Sequence, residues 1–344
     1  YVDYREMIET EAGRIDAVVV GIADHQHAPA SLRAINKGLH VYCEKPLTHT
    51  VHEARVIAEA ARKKGVATQL GTQIHAGDNY RRVVEIIQSG AIGDVIEAHV
   101  WVGKGWGGGD RPKPGQKPPK NLHWDLWLGP APNRPFNRNH FHSGWHWMWN
   151  YGTGDLGNDG VHQVDLGRWA LGLKAPNAVS CSGAKLGSRG DAQQTPDSMV
   201  VTWEYDELLY VFEQRDFTPY RQQGHRLDND NIIFGDKGYL MVGRDGYRVF
   251  YKNEAGPSFE QKWTDSPAHY QNFIDCVKSR EQEKLVADIE EGHYSAMLCH
   301  LGNIAYRTGR RLEFDPKSET FVGDEQANQM LSREYRKGYE LPTI

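Results

Sequence analysis

The sequence predicts an α/β domain built on a parallel, doubly wound sheet, followed by an α+β domain built on an open, mainly antiparallel sheet. The first spans residues 1–95, the second 96–310, and a polar C-terminal tail covers 311–344. Three observations carry this reading. Apolar strand-like runs alternate with amphipathic helical runs up to about residue 95, and repeated βα units imply a parallel sheet. Beyond Ile96 the pattern changes to short alternating strands separated by turns. The length of 344 residues favours two cores over one.

The elements follow in order. Tyr1-Val-Asp-Tyr-Arg-Glu-Met-Ile8 reads as the interior of a helix-forming segment, so the natural start is expected upstream. Asp16-Ala-Val-Val-Val-Gly21 is a short apolar run ending in glycine, which suits a buried parallel strand. A helix is expected at 27–37, stopped by Gly38, and a strand at 39–43. Thr50-Val-His-Glu53 has the spacing of a capping box. Ala54, Ile57, Ala58 and Ala61 mark the apolar face of the helix it opens. A third strand at 66–70 and a third helix at 80–89 complete the first domain.

Residues 96–102 read as a strand, and the Gly/Pro/Lys-rich stretch at 103–120 as a long functional or oligomer-contact loop. Strands are expected at 197–204, 207–214, 232–234, 239–242 and 247–251. Tyr205-Asp206 and Arg244-Asp-Gly246 supply turns between them. Helices at 269–279 and 289–308 precede the tail.

Composition narrows the function classes. Lys+Arg 40 against Asp+Glu 45 gives a net charge of −5, so no basic field points to nucleic acid. No apolar run approaches the length that crosses a bilayer. The 4 cysteines are far apart and form no C-x-x-C pair, against a disulfide scaffold or a zinc ribbon. Many of the 16 histidines and 10 tryptophans crowd between 123 and 169, as in a polar pocket with stacking walls.

Five constellations bear on chemistry. Glu44-Lys45-Pro46 follows a strand, in the loop position where open α/β sheets bind ligands. A lysine there can donate hydrogen bonds, although an ordinary surface loop has the same pattern. Gly152-Thr-Gly154-Asp-Leu-Gly157 matches G-x-G-x-x-G, but Trp147-Met-Trp-Asn-Tyr151 before it is no buried strand and Asp155 would face phosphate. Those glycines instead let the chain turn tightly into the next helix. On that helix Asn158, His162, Asp165 and Trp169 share a face, with Asp165 placed to orient His162. A histidine titrating near neutrality is the usual proton acceptor in alcohol oxidation, and a satisfied interface histidine is the alternative. His140, His142 and His146 lack a carboxylate at ligand spacing, and no metal site is expected. Asp24-His25-Gln26-His27 follows the first strand and is placed to contact a ribose or adenine, unless Asp24 is a helix N-cap.

Together these residues resemble the Gfo/Idh/MocA family of glucose–fructose oxidoreductase-like and inositol dehydrogenase-like proteins. The resemblance runs through Val18-Val-Val-Gly-Ile-Ala-Asp-His-Gln-His27, Gly38-Leu-His-Val-Tyr-Cys-Glu-Lys-Pro-Leu47 and Gly71-Thr-Gln73. It continues in Trp124-Asp-Leu-Trp-Leu-Gly-Pro130 and Gly154-Asp-Leu-Gly-Asn-Asp-Gly-Val-His-Gln-Val-Asp165. Ala287-Asp-Ile-Glu-Glu-Gly-His293 and Phe321-Val-Gly-Asp-Glu-Gln-Ala-Asn328 are similar to a bacterial branch. The resemblance implies a Rossmann domain for NAD or NADP and an oxidoreductase acting on a sugar or cyclitol hydroxyl. Lys45 would position that hydroxyl and His162 would act as acid/base. Ile22, Ala23, Asp24, His25, His27, Glu44 and Lys45 would contact the cofactor.

Gln73, His75, Trp124, His146, Trp147, Asn158 and Asp159 are the candidate substrate contacts, because aromatic rings stack on sugar faces while amides and imidazoles read hydroxyls. Asn158 stands where the family usually has aspartate, with Asp159 one residue out of register. The family's opening strand, G-x-G-x-x-G turn and ribose selector do not precede Tyr1, so the first βα units are expected to be missing. Two other readings remain open at this point. One is an NAD-dependent glycoside hydrolase or lyase working by transient sugar oxidation, and the other is a non-catalytic binding or structural subunit. A homo-oligomer, dimer or tetramer, is expected. The compartment is left open between cytoplasm and periplasm.

Overall fold

The computed structural model describes residues 1–103, 117–217, 229–244, 246–252, 254–260 and 267–344. The expected loop at 103–120 therefore falls largely outside the described residues, as does Asp245 of the Arg244–Gly246 turn.

The first part follows the predicted βα order. Helix α1 (Tyr4–Glu11) is capped by Asp3, whose side chain accepts from the Arg5 amide. Strand β1 (Ala17–Val20), helix α2 (His27–Asn36), strand β2 (His40–Cys43), helix α3 (Val51–Lys64), strand β3 (Thr68–Leu70) and helix α4 (Asp78–Gln88) come next. The three strands pair in parallel in the order β1-β2-β3. Half of the capping box forms, with Glu53 N donating to Thr50 Oγ1 at 3.3 Å, while Glu53 Oε2 accepts from His49 N at 3.1 Å, one residue before the N-cap. Gly65 ends α3 with φ 62, a left-handed position that glycine takes without strain. Ala54, Ile57, Ala58 and Ala61 are buried along α3, as their spacing predicts. Burying Ile57 alone contributes about 2 kcal/mol.

The second part begins with strand β4 (Val95–Val102), then short helices α5 (Trp124–Leu128) and α6 (Gly154–Asn158) and helix α7 (Gly160–Leu171). Strands β5 (Ala178–Ala184), β6 (Ser198–Glu204), β7 (Leu209–Arg215), β8 (Asn229–Gly235), β9 (Tyr239–Gly243), β10 (Gly246–Tyr251) and β11 (Glu254–Glu260) follow. Helices α8 (Pro267–Ser279) and α9 (Ile289–Thr308), strands β12 (Leu312–Asp315) and β13 (Thr320–Phe321), and helix α10 (Glu325–Gln329) close the chain. The ten strands form one sheet, β11-β10-β9-β8-β4-β7-β6-β5-β12-β13, antiparallel throughout except for β4 with β7.

Three departures from the sequence reading have physical causes. Strands β5 and β11 lack the apolar alternation of a half-buried strand, and β11 is exposed along almost its whole length. The tail at 311–344 is no separate unit, because β12 pairs with β5 and extends the sheet. Residues 267–308 do not belong to the second domain alone: α8 and the start of α9 pack on the parallel sheet, while the rest of α9 packs on the large one. On β2, Val41 and Cys43 pack into the layer that also contains Ala54, Ile57, Ile289 and Ala296, while Tyr42 packs with Phe273 and Cys276 of α8 on the opposite face. Helices α4, α7 and α9 cover one face of the large sheet through Val83, Ile87, Val161, Val164, Leu298 and Leu301. Ile96, Val200, Leu209 and Phe234 stay exposed on that sheet. No described helix is long and apolar enough to cross a membrane.

Candidate active site

Strands β1, β2 and β3 end side by side at Val20, Cys43 and Leu70, and the turns beyond them hold residues 21–23, 44–46 and 71–73. The Lys45–Pro46 peptide is cis. Gly71 must be small, because a Cβ there would lie 2.8 Å from Glu44 Oε2 and 3.1 Å from Glu44 Cα. Burial pushes the Glu44 carboxyl up, with Lys45 opposing.

Lys45 reaches across to the second domain. Its Nζ donates to Asn158 O at 2.6 Å and to Asn158 Oδ1 at 2.9 Å. The two acceptors take two of the three ammonium donors and leave the third for another oxygen. Electrostatically Lys45 is a hub: Asp24, His27, Glu44, His146 and His162 all respond to its charge. Burial, then the Lys45 charge, lowers His162 to about 4, so the imidazole is neutral near pH 7 and able to accept a proton. Its Nδ1 is buried without a partner. Burial likewise lowers His146 to about 4, and its ring stacks on Trp145 at 3.6 Å. Lys45, Asn158, His146 and His162 thus converge, although the strand and the helix that carry them are more than a hundred residues apart.

The helix expected to carry Asn158, His162 and Asp165 on one face is broken. Asp159 separates α6 from α7, so Asn158 ends one helix while His162 belongs to the next. Asp165 does not orient His162 either. Its Oδ2 pairs with His75 Nε2 at 2.6 Å, and its Oδ1 accepts from Ser295 Oγ at 2.5 Å. Burial pushes Asp165 up, but His75, with Arg168 and Ser295, more than offsets it and holds the carboxyl at about 2. His75 is consequently a buried group held by Asp165 and stacked on Trp169 at 4.1 Å, where it lines a cleft with Arg81, Val84 and Val286.

The other expected contacts divide in the same way. Ile22 is exposed at the strand edge, beside Ala23. Asp24 is buried and accepts from Thr153 Oγ1 at 3.1 Å, so it is no N-cap; burial, opposed by Lys45, raises it to about 7. His25 Nε2 is 2.9 Å from Trp127 O while its Nδ1 is buried without a partner, and His27 is 2.8 Å from both Pro46 O and Ile22 O. Gln73 Nε2 donates to Tyr42 Oη at 3.3 Å. Trp124 stacks on Trp127 at 4.9 Å and donates Nε1 to Arg134 O. Trp147 is buried, and its carbonyl accepts from Gln194 and Thr195. Asp159 is buried, and its charge acts on His162. The glycines of the G-x-G-x-x-G match serve close packing: a Cβ on Gly152 would meet the His146 backbone at 2.6 Å, and one on Gly154 the Thr195 side chain at 3.0 Å.

Sequence reasoning missed Trp145 and Asp155. The first was legible only as part of a Trp-rich run. Asp155 was noted for what it would do to phosphate, whereas its amide partner is Asn158, whose Nδ2 donates to Asp155 Oδ1 at 3.2 Å.

The strand ends fit the nicotinamide half of a dinucleotide. They offer a carboxylate over a glycine, an exposed Ile22 and a lysine at the carboxyl edge of parallel strands. The backbone donors of a glycine-rich phosphate turn after a parallel strand are not found among the described residues.

Comparison with known proteins bears on family and fold. Residues 1–72 match an oxidoreductase family's NAD-binding Rossmann fold, and residues 79–341 match that family's C-terminal alpha/beta domain. The chain is 40% identical over 89 residues to 1,5-anhydro-D-fructose reductase of Ensifer adhaerens, covering 25% of this chain and 26% of that protein. It is 30% identical over 100 residues to inositol 2-dehydrogenase of Salmonella typhimurium, covering 29% of each. These matches span only about a quarter of the curated relatives' length. In fold it is similar to an inositol dehydrogenase homolog complexed with NAD+ from Azotobacter vinelandii, with a TM-score of 0.70 at 17% identity over 91% of this chain and 83% of that one.

Proposed function

This chain belongs to the Gfo/Idh/MocA oxidoreductase family, and from that premise we propose that it oxidises a secondary hydroxyl of a sugar or cyclitol with NAD. The observation that carries the reading is the convergence of Lys45 and a neutral His162 at the carboxyl edge of the parallel strands. Bound beyond β1 and β2, NAD supplies the hydride acceptor. Lys45, held by Asn158 through two donors, directs its third N–H at the reacting oxygen and favours the developing alkoxide. His162 takes the hydroxyl proton, and burial keeps that imidazole unprotonated until it does. Trp145 and His146 form one wall beside Lys45, a stacking surface with a polar edge that suits the apolar face of a ring bearing hydroxyls. Asp159, Gln73 and Trp124 are further contacts for the hydroxyls and ring. The relatives named above as a dehydrogenase of inositol and a reductase of an anhydro-sugar support this substrate class.

A panel of cyclitols, aldoses and anhydro-sugars, followed by NAD reduction, tests the reading. The expected result is turnover on at least one cyclic polyol. A protein that binds NAD and oxidises none of them contradicts it, and glycoside cleavage without net cofactor reduction assigns the hydrolase or lyase reading instead.

A further inference from the structure

Among the described residues, Lys45 forms no ion pair with a carboxylate, and its hydrogen bonds go to Asn158. Its side-chain partner is the amide of Asn158, and that amide is oriented: Oδ1 accepts from Lys45 Nζ at 2.9 Å while Nδ2 donates to Asp155 Oδ1 at 3.2 Å. An amide can bridge a cation and an anion only in this orientation, so a carboxylate at Asp155 decides which end of Asn158 faces the lysine. Behind Asp155 lies a second buried acid. Asp216, just past β7, is within hydrogen-bonding reach of Asp155, and its Oδ2 accepts from Gln214 Nε2 at 2.5 Å. Both aspartates are 1% exposed. Two carboxyls in contact away from water cannot both ionise, and burial together with the Asp155 charge drives Asp216 towards the protonated form. The pair then carries one proton and one negative charge, with the charge on the oxygen that accepts from Asn158. Asp197, the other acid acting on Asp216, is itself satisfied by the Leu186 and Ser188 amides and by Ser198.

We propose that the buried Asp155–Asp216 pair is the counter-ion of Lys45, acting through the Asn158 amide, and that Asp155 and Asn158 are positioning residues for the lysine. The proposal deepens the reading of Lys45 given above, yet its central contact stands whatever the substrate is. Besides Asn158, the titratable groups that act with Lys45 are Asp24 and Glu44 at the strand ends, and His27, His146 and His162.

Amine labelling read by mass spectrometry tests the contact without any activity assay. The intact protein is acetylated in brief pulses across pH 7 to 10, and the Lys45 rate is compared with the rates of exposed Lys63 and Lys64 on α3. In D155N/D216N the anion that orients the Asn158 amide is gone, the tether on the ammonium loosens, and labelling of Lys45 at pH 8 accelerates several-fold relative to the references. D216N alone keeps the charge on Asp155 and leaves the Lys45 rate within twofold of the parent. Asn158→Ala severs the bridge and accelerates labelling while preserving both acids, which covers the case in which the double variant does not fold. An unchanged Lys45 rate in N158A, or in folded D155N/D216N, overturns the proposal. If labelling shifts as expected but no polyol is oxidised, the counter-ion stands and the oxidoreductase reading falls.

Discussion

At the level of single residues, the proposed reaction divides the work between Lys45, which holds the hydroxyl, and His162, which takes its proton. His162→Ala removes the base, and kcat is expected to fall by roughly 10² to 10⁴-fold with little change in NAD affinity. Lys45→Met removes a donor that faces the reacting oxygen, and the account expects a loss in kcat/KM of similar size. The pH profile carries a sign. His162 works as the neutral base and is lowered to about 4, so kcat/KM measured in short assays holds from pH 7 down to about 5 and declines only as pH approaches 4. A decline centred near 6.5 would show that a solvated histidine is the base. Both residues stand out in the sequence because each belongs to a short motif. The contact between Lys45 and Asn158 does not, since they are 113 positions apart and nothing local announces such a pairing. The same limit explains Asp165, where helical spacing pointed to His162 but the fold supplied His75.

At the level of elements, the parallel half was readable because its signals are local: a capping box, a glycine stop and apolar faces at helical spacing. The closing strap was not, since its value lies in contacts made far from its own position. Arg333 Nε donates to Glu53 Oε1 at 2.8 Å and Tyr335 Oη donates to the same atom at 2.9 Å, tying the C-terminal segment to the first turn of α3. Glu53 is fully buried, so Arg333→Ala would leave an uncompensated carboxylate and is expected to cost about 3 kcal/mol, read by urea denaturation. Helix α7, which holds His162, approaches β7 closely at Gly167, where an added Cβ would collide with Tyr210. Gly167→Ala is expected to cost about 2 kcal/mol and, by displacing α7, to lower kcat more than a surface change of equal stability cost. Equal kcat values for the two would show that α7 placement does not matter to the site.

Over the whole molecule, buried histidines set the response to acid. Burial lowers His25 to about 3, and His146, His162, His269 and His300 to about 4. Between about 6.5 and 4 the unfolded chain binds protons at these groups and the folded chain does not, so stability is lost as pH falls through that window. Asp24, Glu44, Asp216 and Asp288, all raised, act in the opposite sense, but His27, His40, His49 and His140 are lowered as well, and the histidines outweigh the acids. The denaturation midpoint is therefore expected to fall between pH 7 and pH 5, and a flat or rising midpoint would contradict the assigned burial.

In the proposed reaction a hydride leaves a polyol carbon for NAD while Lys45 holds the hydroxyl and His162 takes its proton. Transfer of deuterium from a carbon-deuterated cyclitol to NAD tests it most directly. The account predicts that the reduced nicotinamide carries the label, with a slowed rate for the deuterated substrate, and that His162→Ala abolishes the transfer. Label transfer at the parent rate in that variant, or reduced nicotinamide without label, would contradict it.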